Sequence, residues 1–227
     1  MGDLTLSRSP KGLSLLANCL FRESPFFKRT IQRFRPYICP FEEIIDLVPG
    51  KSDVLDIGCG CGSLIGMLAS FKILRGAAGL DTDPGAIAEA NLMAKSISQK
   101  VNCQNIEFFN LSLNEFAKTD RKFSVVLMID VIHHIHPEKQ KEFINLAMRF
   151  LRPNGLLIYK DMCQKPSWKA FANRVHDLIM AKQWIHYLPI EKAIEFVLDQ
   201  NFKLVKRKDY TNFCYGHELC IFKNSNE

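Results

Sequence analysis

The run Val-Leu-Asp-Ile-Gly-Cys-Gly-Cys-Gly at residues 54–62 joins an apolar strand to three glycines at alternate positions, and a helical segment begins at Ser63. Glycine has no Cβ, so such a turn can be tight and a ligand can lie directly against its backbone. The helix that follows offers unpaired N–H groups and the positive end of its dipole to an anionic group. The run therefore predicts a strand, a turn and a helix that bind an anionic ligand.

A carboxylate closes the next predicted strand, in Gly79-Leu80-Asp81. A carboxylate at this position suits a ribose, because it can accept hydrogen bonds from both vicinal hydroxyls. Together with the glycine turn, Asp81 predicts a pocket for an adenosine-containing cofactor.

The spacing of the glycines separates two kinds of adenosine cofactor. The dinucleotide fingerprint is G-x-G-x-x-G, whose third glycine lets helix and strand pack closely. Here the glycines are Gly58, Gly60 and Gly62, and Ser63 stands where that fingerprint needs glycine. This spacing disfavours an NAD-dependent oxidoreductase. The pattern D-x-G-x-G-x-G, which starts at Asp56, instead resembles the first motif of the class I S-adenosylmethionine-dependent methyltransferases.

The resemblance covers roughly residues 51–223 and implies S-adenosyl-L-methionine as the cofactor. In that family the glycine loop binds the methionine part, the acid of the second strand binds the ribose, and the next residue faces the adenosine. An aspartate after the third strand usually contacts the adenine amine, and Ser112 stands in its place here. The cofactor-binding residues implied are Asp56, Gly58, Cys59, Gly60, Gly62, Asp81, Thr82, Ser112 and Asp130.

Two histidines are the candidates for a catalytic base. The segment Asp-Val-Ile-His-His at residues 130–134 resembles the D-V-L-H-H segment of small-molecule methyltransferases, whose start lies beside the cofactor. Histidine suits proton transfer near neutral pH. His133 and His134 follow the fourth predicted strand, at the carboxyl edge where such sheets bind ligands. Packing, or capping of the next helix, is the alternative role for both.

Strands and helices alternate after residue 50, which predicts an α/β fold. We expect a Rossmann-like, doubly wound, seven-stranded sheet, mostly parallel with an antiparallel C-terminal strand, and an N-terminal helical extension. The predicted strands are 53–57, 77–81, 106–109, 123–129, 155–160, 202–210 and 215–222. The predicted helices of this domain are 63–71, 84–99, 137–151, 167–182 and 189–200, with a short turn near 113–117.

The chain divides in this prediction into an N-terminal arm at 1–50 and a methyltransferase domain at 51–227. An inserted helix near 164–188 is expected to cover the acceptor, as such helices commonly do in the superfamily. His176 and Trp184 of this insertion, and His217 at the start of the last strand, are candidate acceptor-binding residues. The alternatives are a packed helix for the first two and a solvent-exposed edge strand for His217.

Composition limits the remaining classes. The 227 residues are 47% hydrophobic, and no apolar run approaches the roughly 20 residues of a membrane-spanning helix. The eight cysteines form no C-x-x-C pair and mostly lie in apolar runs, so we expect free thiols, no metal site and a reducing compartment. We therefore expect an unprocessed cytoplasmic protein.

The net charge of +6 is concentrated in the arm. Residues 8–40 contain one acidic residue, Glu23, and several phenylalanines. Three roles remain open for this segment besides a simple cap: a lid over the acceptor, contact with an anionic membrane surface, and contact with nucleic acid. The last is the least favoured, because no RNA-binding motif accompanies the segment. The basic residues are Arg8, Lys11, Arg22, Lys28, Arg29, Arg33 and Arg35.

The sequence therefore predicts an enzyme that transfers a methyl group to a small or hydrophobic, lipid-like acceptor, at oxygen. One alternative is a methyltransferase of RNA or protein that docks through the basic arm. Another is a binding module that keeps the cofactor pocket without chemistry.

Overall fold

The structure is a computed structural model, and it describes residues 7–98, 105–162, 186–212 and 215–225. The α-helices are α1 (Pro10–Leu20), α2 (Phe26–Ile38), α3 (Phe41–Leu47), α4 (Ser63–Ser70), α5 (Pro84–Ser98), α6 (Leu113–Phe116), α7 (Pro137–Met148) and α8 (Ile190–Leu198). The strands are β1 (Ser52–Ile57), β2 (Leu74–Asp81), β3 (Ile106–Asn110), β4 (Phe123–Ile129), β5 (Leu151–Met162), β6 (Phe202–Asn212) and β7 (Tyr215–Asn224).

The strands form one seven-stranded sheet in the order β3-β2-β1-β4-β5-β7-β6. The pairs β2–β3, β1–β4 and β4–β5 are parallel, whereas β7 runs antiparallel to both β5 and β6. This arrangement confirms the predicted fold class. The central strand β4 is an apolar run because it is buried on both faces: Val125, Val126, Leu127 and Met128 are all 0% exposed.

Element boundaries differ most from the sequence prediction in β5. This strand begins at Leu151 rather than at Gly155, because the predicted turn is absorbed into the strand. The register with β4 shifts between Phe123 and Val125, and Asn154 has a positive φ of 60°. Such an irregularity lets a strand continue through residues that otherwise read as a turn.

The chain forms two compact units, of residues 1–53 with 59–110 and of residues 54–58 with 111–227. The first contains α1 to α5, β2 and β3. In this unit the arm is helical, as expected. The helical segment is interrupted between α1 and α2 near Pro25, because proline lacks the backbone N–H that a helix interior needs. The division of the chain at residue 50 stays a prediction.

The second unit contains residues 54–57 of β1 and the described elements from α6 onward. Its last strand, β7, lies between β5 and β6 and is not an edge strand. The alternative that His217 lies in solvent on an edge strand is therefore wrong: the residue is only 1% exposed. The inserted helix predicted at 167–182 lies outside the described residues.

Two further features bear on the sequence predictions. Five of the cysteines lie in the described ranges, and none of these five forms a disulfide: Cys19, Cys39, Cys59, Cys61 and Cys220. Among the described helices, none has the length and apolar character needed to cross a membrane.

Candidate functional site

The glycine loop lies between β1 and α4. Gly58, Gly60 and Gly62 all have positive φ, at 74°, 53° and 77°, which residues with a Cβ rarely adopt. At Gly62 space forbids a side chain as well, since an added Cβ would lie 2.6 Å from Cζ of Phe108 in β3. A Cβ added to Gly79 would also collide with the Phe108 ring, so β3 packs tightly against the loop.

Asp81, at the end of β2, is bonded to this loop. Its Oδ2 accepts the Gly60 N–H at 2.8 Å, and its Oδ1 accepts the Asp83 N–H at 2.9 Å. An ionised carboxylate has about four acceptor positions, so two remain for a ligand. The geometry therefore lets one side chain fix the loop and still accept from a ribose diol.

Helix α2 of the arm places a cation at the same loop. An added Cβ on Gly60 would lie 3.5 Å from Nη1 of Arg35. Burial raises the pKa of the Cys61 thiol, and the charge of Arg35 is the largest effect opposing that rise. One turn earlier, Gln32 accepts a 2.7 Å hydrogen bond from the Ser63 hydroxyl at the start of α4. The arm thus contributes to the loop, and sequence motifs alone did not assign Arg35 this position.

Other predicted cofactor residues lie as follows. Cys59 is buried in the loop, and its N–H donates to the Leu80 carbonyl at 2.9 Å. Thr82 is exposed after β2, and Asp56 is a 3% exposed residue of β1 in register with Leu127 of β4. Their roles in binding stay predictions.

Ser112 has a clear local role. It is the N-cap of α6, where its hydroxyl accepts from the Glu115 N–H while the Glu115 carboxylate accepts from the Ser112 N–H. This capping box uses the serine hydroxyl, which also donates to Glu115 at 2.6 Å. The contact of Ser112 with adenine stays a prediction. It would compete with the capping box for the Ser112 hydroxyl.

In the second unit, Asp130 follows β4 with a positive φ of 56°. Both of its carboxylate oxygens accept from the buried Lys160 ammonium of β5, at 2.5 and 2.7 Å. Burial pushes the pKa of Asp130 upward, but the charge of Lys160, with smaller effects from His217 and His133, outweighs it and keeps that pKa below its ordinary value. Asp130 is therefore ionised at neutral pH.

His133 forms a buried pair with Asp161, the residue after Lys160. Its Nδ1 bonds Oδ1 of Asp161, and its backbone N–H donates to the other carboxylate oxygen at 3.2 Å. The short 3-10 turn Ile132–His134 is fixed from α7, because the Gln140 amide donates to the carbonyls of Ile132 and Ile135. The pair is thus rigidly placed where β4 and β5 end.

The other candidate histidines separate clearly. His134 is exposed, and its ring centre lies 4.1 Å from that of His133. His217 lies in β7, in register with Met162 of β5, and is buried. His176 and Trp184 lie outside the described residues. The described part of the chain therefore brings His133, Asp130 and His217 into one charged cluster with Lys160 and Asp161.

This cluster includes a set of potential metal ligands. Asp130, His133 and Asp161 each offer a ligand atom, all within 4.8 Å of one another. Lys160 already bonds both oxygens of Asp130, so a cation would have to displace that ammonium. The absence of a resident metal stays a prediction.

Lys160 and Asp161 were missed by the sequence prediction. Their signal was available: Lys160 ends the fifth predicted strand and Asp161 follows it, at the carboxyl edge where open parallel sheets bind ligands. Charged residues in an apolar strand are almost never buried unless paired, which itself points to partners on a neighbouring strand.

Comparisons with known proteins point to methyltransferases. Residues 54–155 match the model of a methyltransferase domain family. The chain is 23% identical over 166 residues to a ubiquinone biosynthesis O-methyltransferase of Rickettsia typhi, covering 70% of this chain and 63% of that protein. It is 27% identical over 130 residues to a tRNA N(3)-cytidine methyltransferase of Danio rerio, covering 51% and 34%. The chain thus spans less than two thirds of either relative.

A solved structure shows the same fold. The magnesium protoporphyrin IX methyltransferase of Synechocystis PCC 6803 with bound SAM superposes with a TM-score of 0.64 at 17% identity, covering 89% of this chain and 86% of that one.

The fold and the glycine loop together define a Rossmann-like methyltransferase domain. Over residues 54–155 the chain matches a methyltransferase domain family, which confirms the resemblance to the class I S-adenosylmethionine-dependent methyltransferases read from residues 54–62. The residues fit S-adenosyl-L-methionine, the cofactor supported by these comparisons. Gly60 has no side chain, so a ligand can approach its backbone beside Arg35. The Arg35 guanidinium suits the carboxylate of a methionine moiety, and the Asp81 carboxylate suits the hydroxyls of a ribose.

Proposed function

We propose that this chain methylates an oxygen atom of a small or hydrophobic acceptor and that His133 is the base for that reaction. The observation that carries the proposal is the contact between Nδ1 of His133 and the Asp161 carboxylate. A carboxylate can only accept, so Nδ1 bears the proton and Nε2 is the basic nitrogen.

S-adenosyl-L-methionine supplies a methyl group already activated by its sulfonium. The chain's own task is to orient the acceptor, exclude water and remove one proton. In this proposal the acceptor hydroxyl loses its proton to Nε2 of His133 as the oxygen–methyl bond forms and the sulfur–methyl bond breaks. Asp161 orients the ring and stabilises the imidazolium, and is a positioning residue.

Two features support an oxygen acceptor. A hydroxyl or phenol has to lose a proton during transfer, which gives an oriented histidine a task. The relatives named ubiquinone biosynthesis O-methyltransferases act on oxygen by name, and several match this chain at low identity. We assign the base to His133 because the Asp161 carboxylate orients its ring and also accepts its backbone N–H.

The test follows the methyl group. The protein is incubated with methyl-¹³C-labelled S-adenosylmethionine and an organic extract of cells, and products are examined by mass spectrometry and ¹³C NMR, which separates O-methyl from N-methyl carbons. We expect label in an extractable O-methyl compound. His133→Gln and Asp161→Asn should lower turnover by about 10²-fold or more while cofactor affinity stays within a few-fold. Full turnover in both variants would remove the base from the mechanism.

A second candidate is methylation of RNA. The tRNA methyltransferase relative and the basic arm favour it. The same labelling experiment separates the two, because label would then appear in the nucleic acid fraction, and acceptor binding would weaken steeply with salt as counterions compete.

A further inference from the structure

The outer face of α2 is aromatic and exposed to solvent. Phe26, Phe27 and Phe34 are 76%, 70% and 55% exposed, which is unusual for the largest apolar side chains. At about 100° per residue these three side chains, with Tyr37, fall within roughly a quarter to a third of the helix circumference. The rings of Phe34 and Tyr37 are neighbours, with centres 6.3 Å apart. We call these four residues the aromatic face.

The opposite face of α2 is fixed to the first unit. Lys28 donates to Glu89 of α5 at 3.0 Å, and Gln32 bonds Ser63 of α4 at 2.7 Å. Gln32 and Pro36 are buried. Because polar bonds on one side fix the rotation of the helix, the aromatic face cannot turn inward to bury its rings. The packing of α2 therefore keeps these aromatic side chains exposed.

Positive charge borders the aromatic face. Arg29 and Arg33 lie next to it around the helix, and the guanidinium of Arg29 lies 5.9 Å from the centre of the Phe26 ring. Arg22 is exposed just before the helix. No acidic residue occurs within α2 itself. Aromatic rings flanked by arginines are complementary to a surface in which an apolar interior lies beneath a layer of negative charge.

We infer that α2 is a docking surface for anionic lipid bilayers, with Phe26, Phe27 and Phe34 entering the headgroup region and Arg29 and Arg33 pairing with lipid phosphates. A helix of 13 residues is about 20 Å long, too short to cross a bilayer of about 30 Å. It therefore lies in the plane of the interface. A bilayer is also where a hydrophobic acceptor dissolves, although this docking does not depend on the acceptor.

The experiment measures cosedimentation of the full chain with vesicles. One set is phosphatidylcholine alone, and the other is phosphatidylcholine mixed with phosphatidylglycerol. We expect binding to the mixed vesicles, weakened by salt, and little binding to the neutral ones. Phe26→Ser combined with Phe27→Ser should reduce the partition coefficient by about tenfold or more, and Arg29→Gln combined with Arg33→Gln should remove the preference for anionic lipid.

A matched control lies in β6, where Val205 is 59% exposed. Val205→Ser removes an exposed apolar side chain away from the arm and should leave vesicle binding unchanged. All variants are surface changes, so circular dichroism and cofactor binding serve to show that they fold.

Several results would overturn the proposal: equal binding to both vesicle types, equal binding by the phenylalanine variant, or no binding by the wild type. A dimer seen by light scattering and abolished in the phenylalanine variant would assign the aromatic face to a second copy of the chain. RNA retention lost in the arginine variant, without vesicle binding, would assign it to nucleic acid. None of these results bears on methyl transfer, so this inference and the proposed function fail separately.

Discussion

The Gly60 N–H donates a 2.8 Å hydrogen bond to Oδ2 of Asp81. This bond joins the loop that follows β1 to the residue that ends β2, within one compact unit. The residue expected to bind the ribose is therefore also the residue that fixes the glycine loop. A change at Asp81 should affect both parts of the cofactor, the nucleoside and the amino acid.

Asp81→Asn and Asp81→Ala separate these two effects. The amide oxygen of asparagine can still accept the Gly60 N–H, but it lacks the charge that strengthens a bond to a ribose hydroxyl. We expect Asp81→Asn to weaken S-adenosylmethionine binding by about tenfold or more, and Asp81→Ala to weaken it further. Titration calorimetry measures both.

The neighbouring Asp83 provides the control for this prediction. It is exposed, and its carboxylate accepts the Gly85 N–H at the start of α5. Asp83→Asn should leave cofactor affinity within about twofold. Unchanged affinity in Asp81→Ala would remove Asp81 from the binding site.

Arg35→Gln tests the cation beside the glycine loop. Loss of a guanidinium that pairs with a carboxylate should weaken S-adenosylhomocysteine binding by about tenfold. Binding of 5′-methylthioadenosine, which lacks the amino acid, should change little. The ratio of the two affinities, measured by calorimetry, isolates the carboxylate from the rest of the cofactor.

Arg33→Gln is the matched control, because Arg33 is an exposed arginine two residues earlier on α2. It should leave both affinities unchanged. Equal losses for both ligands in Arg35→Gln would mean that Arg35 supports the loop without contacting the carboxylate.

Some of these relationships could be read from the sequence and others could not. The strands up to β4 are apolar runs or end in polar residues at turns, so the local sequence pattern located them. The ribose-binding role of Asp81 was assigned from the family resemblance. The proximity of Arg35 to Gly60 depends on how α2 docks, which no local pattern encodes. Likewise, the burial of His217 follows from the place of β7 inside the sheet. Strand order is a tertiary property, and antiparallel last strands look similar at an edge or inside.

Lys160→Met tests the buried pair with Asp130. Removing one partner leaves the other charge buried without compensation, which typically costs about 3–5 kcal/mol. We expect a loss of that order in the free energy of unfolding, measured with urea at pH 7. The double variant Asp130→Asn with Lys160→Met should recover part of it, since no lone charge remains. A loss in the double variant equal to the sum of the single losses would show that the two side chains act independently.

Glu218 of β7 predicts a dependence of stability on pH. Burial raises its pKa to about 7, with further increases from Asp209, Glu191 and Asp161 and an opposing effect of Arg207. A raised native pKa means that the folded chain binds more protons than the unfolded chain between the ordinary value near 4.5 and about 7. Stability should therefore fall as pH rises through this window, by at most about 3 kcal/mol from this residue.

Glu218→Gln removes that titration because an amide stays neutral. We expect the variant to be more stable than the wild type at pH 8 and about equal to it at pH 5, when both are unfolded with urea. Its stability should also be flatter between these values. The exposed Glu138 of α7 gives the control, since Glu138→Gln should leave the pH dependence intact. A Glu218→Gln profile with the wild-type slope would show that Glu218 does not titrate in this window in the folded chain.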